Sequence, residues 1–395
     1  MAGENMINRQ CGIRWRVLIA VVAGGLAGSA ALAQEDTDDG GFKAGIGLHF
    51  DRDDNIYDSS TEEIKSWIMR ISPDLSLSSA PGKRQFSLQY IGDYGKFDGS
   101  ESDNDYTDHS LEGRALLQVG SRGSLDISAM LEQGHDRRGT NLTQGLPPGS
   151  PLFPDEPDEF ERVDWEVAYT HGREGARGRV SFSIGENALE YDNNRIRTEF
   201  FDRDDKFATA GLTIGLQERT SFVVEAGYTS TDYAVDRPEG VSLDGENWSF
   251  LLGVTWEATA RTEGSVRIGT ERRNFDNPDQ TGERLFSWDV AVRWFPRNHS
   301  YFDISTSRSN EETIAGGAYI DRARYGIRWT HEWAIGVESE LGWSRRDDDF
   351  IGASRKQDES EYYFGLRLPQ GNRLIWEAGV TRRDRGTCLL YTSPS

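Results

Sequence analysis

Apolar and polar residues alternate with a period of two in short segments along this chain. In 285–296, LFSWDVAVRWFP, every even-numbered position from Phe286 to Trp294 is apolar, and the positions between them include Asp289 and Arg293. This period predicts a β-strand with one apolar and one polar face. The apolar face must meet either the core of a soluble domain or lipid.

The same alternation recurs in about seventeen segments between 42 and 382, most of them near the ~9–11 residues that a tilted strand needs to cross a membrane. The connections also alternate in length. Long ones include 133–161 and 344–357, and short ones include 120–123 and 369–372. Outer-membrane barrels have short periplasmic turns and long extracellular loops. The first strand, which leads into a long connection, is therefore expected to run outward.

Aromatic residues cluster at the ends of the apolar faces. Phe42 and Phe50 bound one segment, and Trp248 and Trp256 bound another. Barrels place such residues in girdles at the two membrane interfaces, whereas a soluble sandwich would spread them through its core. We predict an all-β fold, a transmembrane up-and-down antiparallel β-barrel in the bacterial outer membrane. A periplasmic all-β domain is the alternative.

The number of segments raises a question of closure. Bacterial single-chain barrels have an even number of strands, and an open sheet edge is costly in lipid. We therefore expect about 18 strands in the native protein, of which about 17 are visible here. The closing strand is expected to be lost.

Both ends of the sequence differ from the body. Arg14 and Arg16 precede a short apolar run, and Ala31-Leu32-Ala33 precedes Gln34, which is the pattern of a secretory signal peptide. The last residues, CLLYTSPS, do not continue the alternation. We expect a signal peptide over 1–33, a barrel over 34–386 and a non-native tail over 387–395.

Composition narrows the classes of function. The net charge of −22 argues against nucleic acid as a partner, because phosphates would be repelled. The mean hydropathy of −0.65 excludes a helical membrane protein but suits a barrel, in which only alternate residues face lipid. The two cysteines, Cys11 and Cys388, lie in the expected signal peptide and tail. The body therefore has no thiolate for a disulfide or metal site.

The polar faces carry charges that would line the inside of a barrel. The expected lumen-lining residues are Arg267, Glu271, Asp289, Arg293, Asp303, Arg322, Arg324, Arg328, Glu338, Glu340, Glu361 and Arg367. A barrel of about 18 strands is wide enough to enclose water, so these residues would tune a channel. The alternative is a network of paired charges that fills and stiffens the lumen.

The longest connection, 134–162, is the third outer loop and holds five of the twelve prolines. By analogy with general porins it is expected to fold into the pore and narrow it. The expected constriction residues are its acids, Asp155, Glu156, Asp158 and Glu159. A proline-stiffened external loop is the alternative.

No motif indicates catalysis or a cofactor. The chain contains neither H-E-x-x-H nor G-x-S-x-G, and His109 and Ser110 are adjacent on a strand, so their side chains point to opposite faces. We expect a protein that is not an enzyme and that has no metal or cofactor.

The last third of the body resembles a known family. FSWDVAVRWFPRNHSYFDISTSRS, GAYIDRARYGIRWTHEW and RRDDDFIGASRKQDESEYYFGLRL are similar to outer-membrane β-barrel porins encoded beside exopolysaccharide biosynthesis genes. The resemblance implies passage of saccharide or exopolysaccharide through the outer membrane. It also leaves open a non-conducting barrel that supports export. The partners expected are outer-membrane lipid and lipopolysaccharide, a saccharide substrate and polysaccharide export machinery.

Overall fold

Antiparallel strands make up most of this computed structural model. It describes residues 8–10, 16–24, 40–60, 63–146, 148–173, 175–237, 242–257, 261–278, 280, 282–313, 317–353, 355–371 and 373–389. The strands of the body are β1 (Gly41–Asp53), β2 (Ser66–Ser78), β3 (Arg84–Phe97), β4 (Tyr106–Val119), β5 (Gly123–Asp136), β6 (Asp158–His171), β7 (Gly178–Tyr191), β8 (Arg203–Gln217), β9 (Thr220–Tyr233), β10 (Gly245–Trp256), β11 (Thr262–Phe275), β12 (Arg284–Arg297), β13 (Ser300–Glu311), β14 (Tyr319–Glu332), β15 (Glu338–Ile351), β16 (Arg355–Gln370) and β17 (Leu374–Leu389).

Each of these seventeen strands pairs antiparallel with the next along the chain. The up-and-down order and the strand number confirm the predicted fold. Helical structure within the described residues is confined to one short helix, α1 (Arg195–Thr198), and the 3₁₀ turns Gly99–Asn104, Asn141–Thr143 and Glu199–Phe201. No helix there is long and apolar enough to cross a membrane.

The apolar face of the wall is exposed. Phe42 and Phe286 are both 54% exposed, and many other apolar members of the alternating segments, such as Phe182 and Ile184, are similarly exposed. A soluble β-sandwich would bury such side chains between its sheets. The exposed apolar face is therefore the surface that meets lipid, and we call the opposite face the lumen side.

The strands continue beyond their apolar parts. On the lipid-facing side of β15, Leu341 and Trp343 are followed by Arg345 and Asp347, whose side chains form an ion pair at 2.8 Å. The prediction of a long connection over 344–357 is wrong, because β15 extends to Ile351 and β16 begins at Arg355. Above the lipid both faces of a strand are polar, so the hydropathy signal ends although the hydrogen-bond ladder continues.

A nine-residue strand near the N-terminus, Arg16–Gly24, lies in the seam between the first and last strands of the body. It pairs antiparallel with both β1 and β17, and within the described residues these two strands do not pair directly with each other. A shorter strand, Asn8–Gln10, pairs with the outer part of β17. The seventeen strands thus do not close by themselves. The expected cleavage site at 31–33 and residues 390–395 of the expected tail lie outside the described residues.

Two small apolar clusters lie at the end of the wall that carries the long connections, which we call the outer end. One joins Ile56 and Tyr57 of the first outer loop to Phe153 of the third. The other joins Phe160 and Tyr191 to residues around Phe201. Burial in this barrel is therefore concentrated where the loops fold against one another.

Candidate functional site

The lumen side of β9–β13 carries ion pairs between nearby strands. Arg267 contacts Asp289 at 2.6 Å and Glu225 at 3.2 Å, and Arg293 contacts Asp303 at 2.6 Å. The two contacts at 2.6 Å join side chains directly opposite each other on paired strands, and Arg267 reaches Glu225 across β10. Each arginine here is therefore matched by at least one carboxylate.

The same pairing continues along β14–β17. Arg322 contacts Asp348 at 2.6 Å and Glu311 at 2.5 Å, and Glu311 also contacts Arg324. Further pairs on this wall include Arg328–Glu340 at 3.1 Å, Arg383–Glu361 at 2.6 Å and Arg367–Glu377 at 3.4 Å. Cations and anions alternate across the lumen side.

The remaining two predicted lumen residues also lie on this side. Glu271 is buried and accepts a hydrogen bond of 2.7 Å from the Ser287 hydroxyl. Glu338 lies opposite Arg367 in the register of β15 with β16. The twelve residues predicted from the sequence thus alternate with lipid-facing positions, and ten of them are in ion pairs.

The third outer loop, 137–157, folds inward and packs against the first two outer loops. Arg138 is only 4% exposed, and its guanidinium donates hydrogen bonds to Asn104 Oδ1 at 2.8 Å, Tyr57 Oη at 2.9 Å and the Pro154 carbonyl at 2.9 Å. Burial raises the pKa of Tyr57 to about 12, so this phenol stays protonated and can donate to Glu101 Oε2. The three loops form one packed unit.

This loop reaches the far wall of the barrel. Gln144 donates to Gln357 Oε1 at 2.8 Å and accepts from the Arg355 guanidinium at 2.7 Å, both on β16. The loop connects β5 to β6, which are far from β16 in the order of strands around the wall. The segment around Asn141–Leu146 therefore crosses the outer mouth.

The first outer loop is tied to the strand on the other side of the seam. Asp58 contacts Arg385 of β17 at 3.1 Å and Arg137 of the third loop at 3.4 Å. Arg137 also contacts Asp53 at 3.3 Å. Ion pairs thus link two outer loops to each other and to β17 across the seam.

The four acids predicted to form the constriction lie outside this crossing segment. Asp155 and Glu156 are exposed, and Glu159 is exposed on β6. Asp158 is buried, where it contacts Arg197 and accepts a 2.7 Å hydrogen bond from Asn194. The polar residues at the crossing, Gln144 and Gln357, carry no charge or periodic pattern that sequence reasoning could have used.

Cavities remain on the lumen side of the part of the chain that the structure describes. A cavity of about 460 Å³ lies against β13–β16 and is lined by Asp303, Arg328, Glu340 and Tyr363, among others. A cavity of about 400 Å³ lies against β7–β11, and one of about 220 Å³ lies under the crossing segment beside Gln144. The lumen side is polar and only partly filled by side chains and loops.

An antiparallel wall with an apolar lipid face and a charged, partly open lumen defines an outer-membrane β-barrel of the porin type. A family model described as "Putative beta-barrel porin 2" matches residues 42–383, and this chain belongs to that family. A comparison with curated proteins finds no match.

Solved outer-membrane barrels have a similar fold. The FrpB iron transporter from Neisseria meningitidis (F3-3 variant) is 8% identical with a TM-score of 0.50, covering 96% of this chain and 82% of that chain. The FrpB apoprotein (F5-1 variant) is 10% identical with a TM-score of 0.49, covering 96% of this chain and 63% of that chain. OpdK from Pseudomonas aeruginosa is 11% identical with a TM-score of 0.38, covering 95% and 99%. At these identities the likeness concerns the fold alone.

Proposed function

We propose that this barrel is a channel for saccharides, including fragments of exopolysaccharide, and that it has no catalytic role. The observation that carries the proposal is the pairing of charges on the lumen side. Arg267 with Asp289 and Arg328 with Glu340 are examples in which each charge is balanced within 3.1 Å. An ion-selective pore presents charges of one sign. A balanced polar wall instead suits a neutral solute that hydrogen-bonds.

Vesicle swelling tests this proposal. The full-length protein is reconstituted into liposomes, which are then diluted into isotonic glucose, sucrose, maltotriose or sodium glucuronate. Neutral sugars are expected to enter and swell the liposomes, with rates that fall as the sugar becomes larger. Swelling that is confined to glucuronate, or that is absent with every solute, would contradict a saccharide channel.

A second candidate is a non-conducting barrel with a structural role in the outer membrane. The crossing of the mouth by Gln144, held by Gln357 and Arg355, is the observation that favours it. Planar-bilayer recordings of the wild type and of Gln144→Gly separate the two candidates. A channel narrowed by this loop is expected to show small discrete current steps that become larger in Gln144→Gly.

The matched control is Gln133→Gly, which removes a glutamine from the lipid-facing side of β5. Gln133 contacts Glu161 at 2.7 Å and has no part in the crossing. Its current steps are expected to equal those of the wild type. If neither the wild type nor Gln144→Gly shows steps, the structural barrel is the better description.

A further inference from the structure

Tyr363 is an aromatic residue on the lumen side of β16, between the lipid-facing Tyr362 and Phe364. Two glycines lie beneath its ring. A Cβ at Gly365 would be 2.1 Å from the phenol oxygen, and one at Gly379 would be 3.3 Å from the ring. These two glycines lie opposite each other in the register of β16 with β17. The ring therefore lies along the wall on a glycine floor.

The side chain of Tyr363 also borders open space. Tyr363 lines the 460 Å³ cavity, together with Gly326 and Gly342, which add no side chains to its floor. Its volume falls in the range of ~300–1,000 Å³ that small-molecule sites occupy. The cavity is thus an open recess on the lumen wall that has an aromatic side chain and several charged groups in its lining.

Hydrogen-bonding groups surround the recess. Arg328 is 60% exposed along its side chain and contacts Glu340 at 3.1 Å. Glu361 and Asp303 also line the cavity and are held by Arg383 and Arg293. A carboxylate held by one arginine still has lone pairs for further donors. The recess offers both donors and acceptors with little unbalanced charge.

We propose that this recess binds a neutral sugar, whose ring stacks on Tyr363 and whose hydroxyls bond to Arg328 and Glu340. One face of a pyranose presents C–H groups, which carry partial positive charge and match the negative face of an aromatic ring. Its hydroxyls both donate and accept, as the surrounding groups require. This inference rests on the proposed function and locates a binding step within it.

Saturation-transfer difference NMR with the detergent-solubilised full-length protein tests the site directly. Maltotriose is the probe, and this measurement does not require an open channel. The wild type is expected to bind it. Tyr363→Phe should retain the affinity because the ring remains, whereas Tyr363→Leu should weaken it about three- to tenfold.

The matched control for the ring is Tyr301→Leu. Tyr301 is another tyrosine on the lumen side, but the guanidinium of Arg293 already covers its ring at 5.0 Å. Maltotriose affinity is expected to stay at the wild-type value in this variant. Equal loss in Tyr301→Leu and Tyr363→Leu would overturn the stacking role.

A second variant tests the glycine floor. Gly365→Ala is expected to lift the ring and lower the affinity, because its Cβ has no room beside the phenol. Gly45→Ala is the control, since a Cβ at that lumen-side position meets nothing within 4 Å. If the wild type binds no maltotriose although liposomes swell with it, the channel stands and this site is refuted. If the wild type neither binds maltotriose nor lets it swell liposomes, both the binding site and the saccharide channel are refuted.

Discussion

At the scale of single residues, Arg138 is the side chain on which the outer mouth most depends. Its buried guanidinium joins Asn104, Tyr57 and the Pro154 carbonyl. Arg138→Ala removes all three hydrogen bonds, including the donors to Asn104 Oδ1 and the Pro154 carbonyl, so local opening of 137–157 is expected to become easier by about 1–3 kcal/mol. Hydrogen exchange of the loop amides, followed by mass spectrometry, measures this change.

The control for this prediction is Arg114→Ala, which removes an exposed arginine that pairs with Asp126 on the lumen side. Exposed ion pairs contribute little, so the exchange of 137–157 is expected to stay unchanged. Wild-type exchange in Arg138→Ala would contradict the role assigned to this residue.

Individual lumen residues could be named from the sequence because alternation fixes the face of every strand position. Val266 and Ile304 belong to the apolar face of their strands. The adjacent Arg267 and Asp303 must therefore belong to the polar face, because successive side chains on a strand point to opposite sides. The contacts of Gln144 could not be predicted in this way. They depend on the path of an irregular loop across the barrel, and a loop has no periodic relation between sequence position and direction.

At the scale of elements, the first and third outer loops contact each other through backbone atoms as well as side chains. Gly139 has a φ of +85°, and a Cβ there would be 1.9 Å from the Tyr57 carbonyl oxygen. Gly139→Ala is expected to push the first and third outer loops apart. The overpacking should cost about 1–3 kcal/mol beyond the backbone strain. Limited proteolysis of the loops, and the size of single-channel current steps, are the measurements.

Gly145→Ala is the matched control in the same loop. Its φ of +77° imposes similar backbone strain, but a Cβ there meets nothing within 4 Å. Its loops are expected to be cut at nearly the wild-type rate. If the loops of both alanine variants are cut equally fast, backbone strain at the substituted position, rather than contact with Tyr57, accounts for the faster proteolysis.

The strands were predictable as elements, but their outer ends were not. Each of the alternating segments overlaps a strand, since lipid demands an apolar residue at every second position, although Ile335 and Val337 lie in the turn before β15. Outside the lipid, water contacts both faces of a strand, so apolar residues are no longer required at alternate positions. Pairs such as Arg308–Asp321 at 2.6 Å continue the ladder with polar residues on both faces, and no hydropathy pattern distinguishes them from loop.

At the scale of the whole molecule, the seam bears on the expected signal peptide. Arg16–Gly24 pairs with β1 and β17, yet it belongs to the apolar run that precedes Ala31-Leu32-Ala33. We expect signal peptidase to remove it, so that protein purified from outer membranes begins at Gln34. N-terminal sequencing checks this. Recovery of protein that retains Arg16–Gly24 would refute cleavage and assign this strand to the mature wall.

The assignment of the two faces to lipid and lumen can be tested at neighbouring leucines of β10. Leu252 is 39% exposed on the lipid-facing side, whereas Leu251 lies on the lumen side opposite Glu225 in the register with β9. An arginine on the lipid face near the bilayer midplane costs about 2–4 kcal/mol. Leu252→Arg is therefore expected to lower the free energy of unfolding in lipid vesicles by about that amount.

Leu251→Arg serves as the control for this comparison, because it adds the same side chain one position away. Its guanidinium would enter a polar lumen and lie beside the carboxylate of Glu225, so the loss of stability is expected to be much smaller. Reversible urea unfolding in vesicles of one lipid composition gives both values. A larger cost for Leu251→Arg would mean that the lipid and lumen faces are exchanged. Equal costs would contradict the assignment of the two faces, and either result would remove the support for a channel.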